Sequence, residues 1–197
     1  KKPDKSPYLP TPEEPLDISF AKNFTSNGGL FLYNQSKEKV LYNFHEICKE
    51  NKWISEEIIC LNQKLSSFFK IPFVTNNSGK LTHYKSLLIN CEYLISNTGK
   101  ILLSSKQINH FKLNDLPKTI LVIAKLNQLV KDVSQGMTQI KNKYPNKIPT
   151  NITTLKTIKD KKTSSIKTNS KNIYLLLEDI WALINISLIS LKWNYDE

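Results

Sequence analysis

The run Thr119-Ile120-Leu121-Val122-Ile123-Ala124 is apolar at nearly every position and largely β-branched. A strand with one face in water alternates polar and apolar residues, so an unbroken run is expected of a strand covered on both faces. Such a strand needs one layer above it and another below, which constrains this chain more than any other feature. Asn172 to Leu177 is a second strand of this kind, and Leu30-Phe31-Leu32-Tyr33 and Glu57 to Leu61 are shorter ones. Amphipathic helices separate them. From about Lys37 to Asn51, Val40, Leu41, Phe44, Ile47 and Cys48 recur at helical spacing on one face, with charges opposite. Leu126, Leu129, Val130, Val133, Met137 and Ile140 form another stripe, which predicts a helix over Leu126–Asn142 that ends before Pro145. Gly136 weakens that helix by roughly 1 kcal/mol relative to alanine. Shorter helices are expected from near Asp17 to a cap at Gly28 or Gly29, and over Gln63 to Phe69. Apolar strands alternating with amphipathic helices imply an α/β fold with a mainly parallel sheet flanked by helices. Val122 and Leu129 are both expected to be almost fully buried.

The chain has 197 residues, of which 40% are hydrophobic and 23% charged, enough for a single domain with a substantial core. Residues 1–16 carry five prolines and read as an extended tail, unlike the apolar core of a secretory signal. The α/β domain is placed at 17–178. Residues 179–197 hold an apolar segment, Ile180 to Leu191, interrupted by Asn185, Ser187 and Ser190 and short of the roughly 20 residues of a membrane span. Cys48, Cys60 and Cys91 are odd in number and widely spaced, which suits buried free thiols in a reducing compartment. A soluble, cytoplasmic protein is the expectation.

The formal net charge is +11, and every basic residue is lysine. From Lys141 to Lys171 there are nine lysines and one acid, Asp160, while Thr157 to Lys171 reads as a mobile polar loop. A cluster of this kind attracts phosphate. However, arginine, which makes the forked contacts that read bases, is absent, and few aromatics are interleaved. A weak cationic nucleic-acid binder is therefore a disfavoured reading.

No Gly-x-Gly-x-x-Gly, Gly-x-x-x-x-Gly-Lys-Ser/Thr or Gly-x-Ser-x-Gly motif occurs. His45, His83 and His110 are far apart and have no paired nucleophile, and no metal site is expected. Two segments are candidate ligand sites. Asn97-Thr98-Gly99 lies between the apolar runs Glu92–Ile95 and Ile101–Leu103, where its amides and hydroxyl can face a ligand. The alternative is a plain hairpin turn. Pro149, Thr150 and Asn151 open a hydroxyl-rich stretch set between lysines, which suits a small anion or a loop of no special role.

These segments carry a resemblance. Cys91-Glu92-Tyr93-Leu94-Ile95-Ser96-Asn97-Thr98-Gly99-Lys100-Ile101-Leu102-Leu103-Ser104-Ser105 resembles the central signature of the LUD-domain family, the lactate-utilisation (LutC/YkgG-like) proteins. Leu116-Pro117 before Thr119 to Ala124 also fits, and Pro149 to Lys156 stands where that family carries a Gly-Pro-Ser-x-Thr-Ala-Asp-Ile-Glu motif. The likeness runs roughly from Asp17 to Glu178 and is nearest to short members of the Bacteroidetes type. It implies a NagB/RpiA/CoA-transferase-like sandwich. It also implies a part in oxidising L-lactate to pyruvate beside iron–sulfur partner subunits, with no cofactor in this chain. Where related CoA transferases have a nucleophilic glutamate in a similar turn, this chain has Asn97; Thr154 and Lys156 replace the motif's acids. An amide cannot form an acyl anhydride. The resemblance thus leaves open a catalytically inactive ligand-binding or interaction protein on the same fold.

Overall fold

A computed structural model describes residues 14–75, 79–157 and 170–179. In chain order they form α1 (Leu16–Ser26), β1 (Leu30–Asn34), α2 (Lys37–Asn51), β2 (Ile58–Cys60), α3 (Gln63–Phe69), β3 (Ser86–Asn90), β4 (Tyr93–Ile95), β5 (Lys100–Leu103), α4 (Ser105–Ile108), β6 (Thr119–Lys125), β7 (Leu129–Val130), α5 (Val133–Lys143), β8 (Thr153–Thr157) and β9 (Ser170–Glu178). The Pro-rich tail, the middle of the lysine-rich stretch and the apolar segment after Asp179 lie outside the described residues.

Strands β2, β3, β6 and β9 run side by side and parallel, with β1 parallel to β9 on its far side. The continuous apolar runs sit where two-sided burial demands them, and side chains of alternating parity go to opposite faces. Ile120, Val122, Ile173, Leu175, Leu87 and Ile89 enter one core. Leu121, Leu176 and Leu88 enter another, closed by Val40, Phe44 and Ile47 of α2 and Phe69 of α3. The first core is closed by Phe20 and Phe24 of α1 and by a second group of strands, β4, β5 and β8, which contribute Leu94, Ile101, Leu103 and Leu155. The hairpin β4–β5 is antiparallel, as is β5–β8. The outer face of this group, Ile95 and Leu102, is covered by Ile140 and Met137 of α5. Helices, sheet, sheet and helix thus stack in that order. The α/β class and the mainly parallel sheet agree with the sequence reading.

Helix boundaries follow local chemistry. Ser36, Asn62 and Asp132 cap α2, α3 and α5 by accepting the amides of Lys39, Leu65 and Gln135. The cap at Asp132 corrects the Leu126–Asn142 helix. Leu126–Gln128 is a 3-10 turn, and Leu129 and Val130 pair with Leu94 and Ile95 as β7. Apolar residues at helical spacing continue across the boundary because Val130 and Ile140 share one core, and spacing does not mark where a helix starts. Leu129 is accordingly half-buried, not fully buried as expected, whereas Val122 is fully buried. Gly136 gives up helix propensity for close packing, since a Cβ there would stand 3.2 Å from Leu102 Cδ2. The Thr157–Lys171 loop is also corrected at its ends. Thr157 closes β8, and Lys171 lies in β9 with its ammonium buried and donating to the Leu116 carbonyl at 2.8 Å. Among the described residues no helix is long and apolar enough to cross a membrane.

Ile140→Ala is expected to cost about 2–5 kcal/mol, the range for truncating a fully buried aliphatic side chain. Leu129→Ala should cost clearly less because that side chain is already part-solvated. Urea unfolding of the two variants against wild type provides the check.

Candidate functional site

Strands β3, β6 and β9 all end on one side of the sheet, and α2 begins there, at Ser36. In open parallel sheets this edge is where ligands sit, because the strand ends and helix N-termini converge on it. Parity then chooses the lining. Asn90, Ile123, Lys125 and Glu178 share the parity of Leu88, Leu121 and Leu176, so they face the α2–α3 side. Between them and the helices lies a cavity of about 550 Å³. Its lining combines apolar side chains, Val40, Leu65, Phe68 and Phe69, with charged ones, Lys37, Lys125, Lys143, Glu92 and Glu178.

Glu92 anchors one of the charged groups. Its side chain is 0% exposed. Its Oε1 accepts from Ser104 Oγ at 2.7 Å and Gln107 Nε2 at 3.0 Å, and Tyr144 OH reaches it at 3.2 Å. Its Oε2 accepts from Lys143 Nζ at 2.8 Å. Ser104 and Gln107 are the reciprocal capping pair of α4, so a short helix start also seats the carboxylate. Gln128 holds the backbone of the same segment by donating to the carbonyls of Cys91 and Glu92. Burial alone would raise the Glu92 pKa, but the Lys143 ammonium and the Ser104 and Gln107 donors outweigh it and hold the carboxyl below its ordinary range. Lys143 shows the reverse balance: burial pulls its pKa down, and Glu92 more than restores it, so the ammonium is held above its ordinary range. A charged lysine, 44% exposed in its side chain, thus faces the cavity on a fixed mount.

The residues singled out in the sequence lie elsewhere. Asn97, Thr98 and Gly99 form the β4–β5 turn and fit against α1, where Asn27 and Asn23 donate to the carbonyls of Thr98 and Ser96. Gly99 has φ +63°, and a Cβ on it would meet the Asn23–Phe24 backbone, with Phe24 Cα at 2.7 Å. Pro149, Thr150 and Asn151 sit beside α4, where the Thr150 carbonyl accepts from Ser105 N and Asn151 donates to the Phe111 carbonyl. Neither trio lines the cavity. Sequence reasoning passed over Glu92 and Glu178 as parts of apolar strands. The signal was present, since a carboxylate inside or at the end of an otherwise buried run requires a partner. Cys48, Cys60 and Cys91 are on α2, on β2 and between β3 and β4, and among the described residues no three His, Cys, Asp or Glu side chains converge as metal ligands. These thiols do not fit a cluster. Burial pushes Cys48 and Cys60 up to about 11, and Cys91 higher.

Three outcomes follow from this geometry. Because the Glu92 pKa is lowered by folding, its contribution to stability is complete above the unfolded carboxylate pKa and is lost as pH falls through the folded value. Melting temperature plotted against pH should therefore drop on the acid side in wild type, and Glu92→Gln should flatten that limb. Glu92→Ala should cost about 1–3 kcal/mol for the buried Gln107 Nε2 donor it orphans, while Ser104 Oγ keeps Gln107 Oε1 as an acceptor. Gly99→Ala should lose about 1–2 kcal/mol from the left-handed backbone alone, and more from the α1 clash, in chemical denaturation.

Comparison with known proteins bears on this arrangement. A family model described as the LUD domain matches residues 19–177. Among solved structures, the chain is similar to a DUF162 family protein from Deinococcus radiodurans, with 12% sequence identity and a TM-score of 0.60, over 83% of this chain and 96% of that one. At that identity the likeness concerns the fold. No curated protein matches the chain in sequence. The family match takes in every strand that builds the cavity, from β1 to nearly the end of β9, and on it the chain belongs to the LUD-domain family.

Proposed function

We propose that the chain is a lactate-utilisation protein of the LutC-like, bacterial kind. In this reading it is a cytoplasmic subunit that holds a small anion of the L-lactate and pyruvate class and supports the oxidation beside iron–sulfur partner subunits. One observation carries the reading: Lys37, Lys125 and Lys143 converge on a cavity at the strand ends of a LUD-domain fold. Three cationic side chains, one of them at the start of α2, suit a carboxylate. Going from lactate to pyruvate removes two electrons and two protons, and the electrons pass to the partners, since this chain's thiols do not fit a cluster. The residues here bind and orient the anion, with Lys143 as the ammonium on a fixed mount.

Binding without chemistry in this chain is a second reading, favoured by Glu92. Its two oxygens are taken up by four donor side chains, so it acts as a mount and not as a nucleophile.

Thermal-shift measurement with L-lactate, pyruvate, phosphate and CoA should show stabilisation by the carboxylates, reduced at least about tenfold in apparent affinity by Lys143→Ala. Lactate-dependent dye reduction should be absent for the pure chain and appear when iron–sulfur partner subunits are added. Robust dye reduction by the chain alone, or indifference to every small carboxylate, overturns the proposal.

A further inference from the structure

Helix α3 lends the cavity Leu65, Phe68 and Phe69, spaced by three and four residues on one helix face, and none of them is polar. Phe69 is buried, whereas Phe68 is 45% exposed and stands edge-on to it, with ring centroids 5.0 Å apart. Ile123 of β6 and Leu65, both half-buried, pack against the same core. On β6, Ile123 and Lys125 leave the same face two residues apart, about 6.6 Å by the strand rise. The lining therefore passes from apolar to cationic along the strand, toward its end. At about 550 Å³ the cavity falls within the range of roughly 300–1,000 Å³ that encloses ligands of drug size. A three-carbon acid fills a small part of it and leaves Phe68, Leu65 and Ile123 facing water.

We infer that the cavity binds carboxylates carrying an aryl or branched-alkyl body, with the carboxylate at the lysines and the body against Phe68, Leu65 and Ile123. The two ends of such a ligand contribute differently. Lys37 and Lys125 are exposed, so solvent and salt screen their attraction for the carboxylate, which supplies orientation and little affinity. Apolar burial supplies the rest, and it grows with the area of the body. An aryl ring also meets Phe68 in the offset or edge-to-face geometry that aromatic pairs favour. The carboxylate head group rests on the lactate-class reading above, whereas the apolar body rests on the α3 face and the size of the cavity.

The test is calorimetric titration of the purified chain with propionate, L-lactate and 3-phenylpropionate, repeated on Phe68→Ala and Lys125→Ala. Wild type is expected to bind 3-phenylpropionate at least about tenfold more tightly than propionate, which differs from it only by the ring. In F68A that ratio should fall to within about threefold, because the ring loses its principal contact. In K125A the ratio should persist, since a lost ammonium weakens every carboxylate alike. A wild-type ratio near one, or a ratio that survives in F68A, overturns the inference. So does a ratio lost in K125A, which would place the ring on the ammonium rather than on the α3 face. If lactate binds while the wild-type ratio is near one, the inference fails and the lactate-class reading stands. If 3-phenylpropionate binds through Phe68 and lactate does not bind, the inference holds and the lactate-class reading falls. No binding of any of the three acids overturns both.

Discussion

Strands β6 and β9 pair in register over seven residues, from Thr119 opposite Asn172 to Lys125 opposite Glu178. Both are apolar on the two faces, so the pair is the wall between the two larger cores, and each core needs its own cover of helices or strands. This one pairing sets the layer order of the fold. It also sets the site, because the ladder that aligns Val122 with Leu175 delivers Lys125 and Glu178 side by side at its end. A slip of one residue would exchange the two faces of β9, moving Glu178 out of the cavity and its odd-numbered leucines into it.

Around that frame, the charged network at Glu92 ties together parts of the chain that share little else. The carboxylate stands between β3 and β4, its donors come from the start of α4 and the end of α5, and the segment's backbone is held by Gln128. Buried ion pairs repay desolvation poorly on their own. Here the neutral donors complete the set, and the half-exposed lysine keeps part of its hydration. What the arrangement provides is position: an ammonium whose place is fixed by a group that solvent does not reach.

Much of this was legible in the sequence where burial alone decides structure. Two-sided strands at Thr119–Ala124 and Asn172–Leu177, the α2 stripe from Val40 to Cys48 and the short α3 all follow from hydrophobic pattern, and all are found. The α5 start was misread because Leu126 and Leu129 continue its spacing while belonging to a turn and a strand; the deciding signal was the Asp132 cap, a single polar side chain. The site was hidden for a different reason. Its charged residues come from five separate segments, one side chain from each, and nothing in a local motif brings Lys37, Glu92, Lys125, Lys143 and Glu178 together. Asn97–Gly99, the most motif-like stretch, lies instead where the β4–β5 turn must fit beneath α1.

The first strand has one further bearing. Leu30 to Asn34 of β1 pairs only with Tyr174 to Glu178 among the described strands, while the first two residues of β9 pair with β8. One edge of the final described strand therefore joins β1 to the group of strands that holds β8. During synthesis, β1 leaves the ribosome long before that edge exists, and its backbone donors and acceptors must wait in water or in transient company for almost the whole domain to be made. Completion of the described sheet is thus an event of β9. A nascent chain halted ahead of Ser170 carries an open sheet edge on β1 and another on β6, which makes it a substrate for chaperones rather than a smaller version of the same protein.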